Sequence, residues 1–273
     1  MATPETIAPG KVRPPAVAGR FYPSDPVILR KLISVLLTSV PPATGPAPKA
    51  IIAPHAGYLY SGPIAATAYA QLIPARDQIK RIVLLGPSHF VALHGLATPS
   101  AAAFATPLGI VPVDVAAVRA TRLLPQVREL DAAHAQEHAL EVQLPFLQCV
   151  LGDFTLVPLT VGDATPEEVG QVLDALWGGP ETLLVISSDL SHYHDSATAQ
   201  RLDRATAKAI EALKPGHIGE EGACGRMPIR GLLHAARRHG LHARTVDLRN
   251  SGDTAGPRDK VVGYGAFVFE AAR

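Results

Sequence analysis

Three short apolar runs constrain this chain more than anything else in it. Each is stopped by turn residues and then by a histidine. They are Ala50-Ile-Ile-Ala-Pro-His55, Arg81-Ile-Val-Leu-Leu-Gly-Pro-Ser-His89 and Thr182-Leu-Leu-Val-Ile-Ser-Ser-Asp-Leu-Ser-His192. Runs of this length with no polar alternation predict strands buried on both faces, as in a parallel sheet. Ligands bind beyond the carboxyl ends of such strands in open α/β sheets. The three strands would therefore carry His55, His89 and His192 to one rim. Imidazoles gathered there suit a metal or proton transfer.

Between these runs the pattern changes to helical spacing. Asp25 and Pro26 predict a helix start, with apolar periodicity to Val40. Ser61 is read as the cap of a helix over 64–72, with Pro63 in its first turn. Asp114–Leu124 reads as a short helix. His134–Leu151 reads as one helix with a stripe of Leu140, Leu144, Leu147 and Leu151, kinked at Pro145. Thr165, Pro166 and Glu168 form a capping-box sequence. Further helices are expected over 197–213 and 228–239, and strands over 154–161, 243–248 and 261–269. Gly95–Pro112 is turn-rich with some β character. Alternation of this kind predicts a single three-layer α/β/α domain over 12–273, with a mostly parallel or mixed central sheet. Residues 1–11 read as a flexible N-terminal tail.

Composition narrows the function. Lys and Arg number 25 against 24 Asp and Glu, for a formal charge of +1. That balance, without a basic cluster, argues against nucleic acid and membrane surfaces as partners. No apolar stretch is long enough to span a bilayer, and Met1–Gly10, with neither a basic start nor an apolar core, does not read as a signal peptide. Two cysteines cannot make a disulfide framework, and a cytoplasmic protein is expected. No P-loop, no G-x-G-x-x-G after a strand and no G-x-S-x-G elbow occurs.

The residues that could carry chemistry each have a plainer reading beside them. His55, in Pro54-His-Ala-Gly-Tyr-Leu-Tyr-Ser-Gly-Pro63, and His89, in Gly86-Pro-Ser-His-Phe90, sit in turns that either shape a site or only connect elements. Asp189 could orient a histidine, ligate a metal or cap a turn. His138 and Glu141 share a helix face, which is either part of a site or a solvated face. Cys224 precedes a helix, a position that lowers a thiol pKa, although burial as a small apolar residue is the commoner fate of cysteine. His94 reads as a surface residue and Cys149 as packing. Asn250–Gly256 has the composition of a lid or a simple turn.

Seven stretches together resemble the Memo family, whose prokaryotic members are called AmmeMemoRadiSam system protein B. They are Arg13-Pro-Pro-Ala-Val-Ala-Gly-Arg-Phe-Tyr-Pro23, Ala53-Pro-His-Ala-Gly-Tyr-Leu-Tyr-Ser-Gly62, Leu85-Gly-Pro-Ser-His89, Glu137-His-Ala-Leu-Glu-Val-Gln-Leu-Pro-Phe146, Ser187-Ser-Asp-Leu-Ser-His192, Cys224-Gly-Arg and Val261-Val-Gly-Tyr-Gly-Ala-Phe267. The resemblance implies a fold like that of the class III extradiol dioxygenases, which use non-haem Fe(II). It implies a metal at His55, His89 and Cys224, with the cysteine where those enzymes place a carboxylate. It implies proton transfer by His192 with Asp189, and a pocket role for His138. Iron is the expected metal. Thiolate in place of carboxylate softens the site and leaves copper or zinc open. Fold similarity alone does not confer an activity. A dioxygenase-related oxidoreductase therefore stands beside two other readings. One is a peptide- or protein-binding module working with AMMECR1-like and radical-SAM proteins. The other is a zinc hydrolase. A small molecule or peptide would lie in the histidine-lined cleft.

Overall fold

The computed structural model describes residues 11–43 and 45–271. The expected tail over 1–11 lies outside the described residues except for Lys11. The chain runs β1 (Val12–Arg13), α1 (Pro26–Thr38), β2 (Ala50–Ala53), α2 (Tyr58–Ala70), β3 (Arg81–Pro87), β4 (Leu96–Thr98), β5 (Ala103–Thr106) and β6 (Gly109–Pro112). It continues through α3 (Val115–Thr121), β7 (Val127–Glu129), α4 (Ala132–Ala135), α5 (His138–Glu141), α6 (Leu144–Val150), β8 (Thr155–Val161), α7 (Pro166–Ala175) and β9 (Thr182–Ser187). Last come β10 (His192–His194), α8 (Ser196–Glu211), α9 (Arg226–Arg238), β11 (Leu241–Asn250) and β12 (Val261–Ala271).

The fold is α/β, with a mixed central sheet and helices on both sides. The sheet runs β10-β12-β2-β9-β3-β8-β4-β7, with β11 on β12. Its middle, β2-β9-β3-β8, is parallel, while β12 and β4 join antiparallel. Three of these parallel strands, β2, β3 and β9, are the apolar runs of the sequence. Every residue of β2 and β9 is buried, because helices cover both faces. A small second sheet, β1-β5-β6, forms from the turn-rich stretch and the N-terminal segment.

Helices α7 and α9 approach closely enough to need glycine. A Cβ on Gly231 would lie 2.2 Å from Val169 Cγ1, and one on Gly170 would lie 2.8 Å from His234 Cδ2. Asp25 caps α1 and the Thr165–Glu168 box caps α7, as their sequences predict. The segment 251–256 is a tight turn, with Ser251 O accepting from the backbone of Thr254, Ala255 and Gly256.

Two helix expectations need correcting. The span 134–151 is not one kinked helix but three short ones, α4, α5 and α6. Pro145 sits in the first turn of the last of them instead of bending a longer one. Glu137 leaves helical geometry (φ −71°, ψ 122°) and caps α5 by accepting from Ala139 N. Helix α2 starts at Tyr58, so Pro63 lies inside it, and Ser61 Oγ donates to Ala56 O instead of capping.

Candidate metal centre

The register of the parallel strands puts the histidine loops on one rim. Ala53 pairs with Ser187, and Leu85 with Ile186. The loops after β2, β3 and β9 therefore leave the sheet side by side. His55 follows β2, His89 follows β3, and Asp189 and His192 follow β9. From a fourth direction, the break before α5 presents His138 at the first turn of that helix.

His55, His89 and His138 converge. One ring nitrogen from each lies within 4.8 Å of the other two. Ring centroids are 5.2 Å apart for His55–His89, 5.4 Å for His55–His138 and 4.7 Å for His89–His138, the last pair stacked. Cys224 joins from the turn before α9, its Sγ 3.4 Å from His55 Nε2. The thiol sits beside His55 and is not part of the three-histidine set. His192 donates from Nδ1 to Leu190 O at 2.8 Å.

Asp189 has a specific job in this geometry. Its buried carboxylate accepts from His55 N at 2.7 Å and from the Ala56 backbone. It therefore holds the loop that bears His55. Burial raises its pKa, and the backbone donors act against that rise.

Glu137, Ser187 and Gln143 are functional neighbours that the sequence patterns do not single out. Glu137 Oε1 lies 2.8 Å from His89 Nδ1, and its Oε2 accepts from His89 N at 2.7 Å. Burial alone would raise the Glu137 pKa. The hydrogen bonds from His89 and Ala139 outweigh it and bring the group down to about 2. A carboxylate on the outer nitrogen of a ligand histidine fixes its orientation and raises its basicity. Ser187 Oγ stands 2.8 Å from His55 Nδ1. Glu137 directly precedes His138 in the sequence, and Ser187 ends a strand aimed at the rim. Those positions were the available signals.

Glu141 is not on a solvated face. It is fully buried and ion-paired with Arg13. It also accepts from Ala16 N, Val17 N and Tyr22 Oη at 2.6, 2.9 and 2.6 Å. This hub ties the N-terminal segment to α5, and Phe21 of that segment packs edge-on against His138 at 4.9 Å.

Burial pushes the His55 pKa down to about 3 and His138 down to about 4, so both rings are neutral at pH 7. Burial, then the Asp189 charge, pushes the Cys224 thiol up to about 12. The lowered thiol pKa expected of a residue before a helix is therefore not found. A short run of helix dipole does not offset desolvation here. Among the described residues the set holds three imidazoles, those of His55 and His138 neutral, with a thiol beside one of them. Neutral imidazoles suit zinc, copper, iron and nickel, so the residues fit a transition-metal ion.

The family model for Memo-like protein matches residues 13–268. Curated relatives include a MEMO1 family protein of Aquifex aeolicus, 36% identical over 271 residues, covering 95% of this chain and 99% of its own. One from Methanopyrus kandleri is 36% identical, covering 94% of this chain and 98% of its own. One from Aeropyrum pernix is 37% identical, covering 94% and 99%. This chain belongs to the Memo family. Among solved structures, the uncharacterized protein JW3007 of Escherichia coli K12 is similar in fold. Its TM-score is 0.51 at 14% identity, covering 80% of this chain and 98% of that one. No helix among the described residues is long and apolar enough to cross a membrane.

Proposed function

We propose that this chain is a mononuclear metal-binding, oxidoreductase-like Memo protein, with iron as its metal. The observation that carries the proposal is the set of three imidazoles from separate segments with their nitrogens within 4.8 Å of one another. His55 and His89 would hold the ion, their outer nitrogens engaged by Ser187 and Glu137. The third position falls to His138 or to Cys224. Cys224 would ligate only by giving up its thiol proton, so its entry would release a proton. A bound iron would supply open coordination positions and a redox couple. The chain's own residues do the rest. Asp189 fixes the His55 loop, His192 carries protons at its free Nε2, and Phe21 and Phe90 pack edge-on against His138. The substrate would be a small molecule or peptide entering over His138.

Elemental analysis of protein purified anaerobically from iron- and copper-supplemented cells tests the metal. About one equivalent is expected, and it should be lost in a His55→Ala/His89→Ala variant. Absent metal, or loading unchanged in that variant, overturns the proposal.

A second reading draws on the exposed aromatics beside the site histidines. Phe90 is 60% and Tyr193 68% exposed. Tyr193 also holds a positive φ of 64°, a strained conformation for a bulky residue. Such a rim suits docking of an AMMECR1-like or radical-SAM protein. Pull-down of those two proteins, equal for the wild type and a His55→Ala variant, would favour a binding role independent of metal.

A further inference from the structure

The two histidines that would share the metal are held by different devices. His89 is backed by a charged carboxylate. His55 is backed by a chain of neutral groups whose proton directions can be worked out one by one.

The chain starts at Gln143. Its side-chain nitrogen lies 3.0 Å from Pro54 O and 2.8 Å from Ser187 Oγ, and its oxygen lies 2.7 Å from Tyr69 Oη. Pro54 O is an acceptor only, so the amide nitrogen must face it. That fixes the amide, and Tyr69 donates to Gln143 Oε1. Gln143 Nε2 then donates to Ser187 Oγ. Ser187 has one proton, and Ala139 O, another pure acceptor, sits 2.6 Å away. The hydroxyl proton goes there. Ser187 Oγ now has only a lone pair left for His55 Nδ1 at 2.8 Å. The remaining contact is satisfied only if His55 Nδ1 carries the proton. His55 is 2% exposed and its ring nitrogens meet the Ser187 hydroxyl and the Cys224 thiol, with no carboxylate on either, so the buried ring is neutral and has one ring proton in all. Its Nε2 is then a bare lone pair. The Cys224 thiol at 3.4 Å can donate into that lone pair.

We infer that Ser187 and Gln143, with Tyr69 behind them, are positioning residues that lock metal-free His55 as the Nδ1–H tautomer and keep Nε2 ready as a ligand. The use of this lock rests on the metal-binding role proposed above. The lock itself does not. It contains no ionised group. Every polar atom in it is buried and paired, so reversing one link would leave an acceptor facing an acceptor, an arrangement buried groups avoid. Ser187 is the link that matters most, because it alone touches the ring.

The test uses the full chain stripped of metal and labelled with 15N at histidine. Long-range 1H–15N spectra report which ring nitrogen bears the proton, and a His55→Gln variant assigns the signal. The expected result is His55 protonated at Nδ1. A proton on Nε2 overturns the inference, with no variant needed. In Ser187→Ala the His55 signal should move toward a mixture of tautomers. Titrated zinc should bind about 10–100-fold more weakly, the usual loss for an outer-shell partner. Ser187→Thr, which keeps the hydroxyl, should restore both. A folded Ser187→Ala protein with an unchanged tautomer and unchanged zinc affinity overturns the positioning role. A wild type that binds no metal but shows His55 protonated at Nδ1 would remove the proposed function and uphold the tautomer assignment. The two ideas therefore fail separately.

Discussion

Acid should unfold the metal-free protein steeply, and three buried histidines set the slope. Burial holds His55 near 3, His134 near 4 and His138 near 4, whereas each returns to about 6.5 on unfolding. All three folded values lie below the unfolded one. Well above pH 6.5 both states are neutral and nothing is lost. As pH falls from 6.5 toward 4 the unfolded chain takes up protons that the folded chain refuses, so stability falls. Near pH 5 the difference approaches three protons, or about 4 kcal/mol per pH unit. Integrated from pH 7 to pH 5 the loss is roughly 5 kcal/mol, comparable to the whole stability of many domains. Asp189 and Asp203 act in the opposite sense, because burial raises their pKa values and the folded state holds their protons. They oppose the loss as pH falls through their folded values. Urea midpoints of chelator-treated protein, measured every 0.25 pH unit from 7 to 5, read the slope directly. His134 is away from the three-histidine set, with Nε2 on Ala97 O at 3.0 Å. A His134→Gln variant, which can still donate there, should lower the slope by about one proton. A wild-type slope below one proton, or no change in the variant, would refute the reasoning.

Other expectations follow from the same geometry. Glu141→Ala leaves the Arg13 guanidinium buried without its partner. It should cost about 3–5 kcal/mol, seen as a fall of several degrees in Tm. A change within one degree would show that the hub is not structural. The Arg13→Met/Glu141→Leu pair should lose less than Glu141→Ala alone, because no unpaired charge remains. Cys224, with its thiol near 12 against an ordinary 9, should carry about 1000-fold less thiolate at pH 8 than a free thiol. Mass spectrometry after iodoacetamide should find it almost unmodified under native conditions and fully modified in urea. Rapid native labelling would contradict that.

The strands and their histidines were legible because local sequence determines them. The apolar runs that end in Ala-Pro, Gly-Pro and Ser-Ser-Asp are buried strands followed by turns, namely β2, β3 and β9. The family stretches supplied the rest of the site's neighbourhood. What stayed hidden depends on partners far away in the chain. Ser187 meets His55 across 132 positions, and Glu137 meets His89 across 48. No periodicity encodes such pairs. The reading of 134–151 as one helix failed for the same reason. Its leucine spacing is helical, but Glu137 leaves the helix to cap α5 and grip His89. Those bonds outweigh the uninterrupted backbone ladder. The Glu141 face stayed open between a site and solvent because its partners Arg13 and Tyr22 lie more than a hundred residues upstream.

The histidine centre draws on residues 55, 89 and 138, with 224 beside it and the wall at 21 tied down through 13 and 141. No single hairpin or helix pair owns it. An ion held there would be released only when much of the architecture comes apart, not when one loop frays. Loading with metal should therefore slow digestion by a protease at sites far from the rim, because occupancy and integrity of the whole chain are tied together.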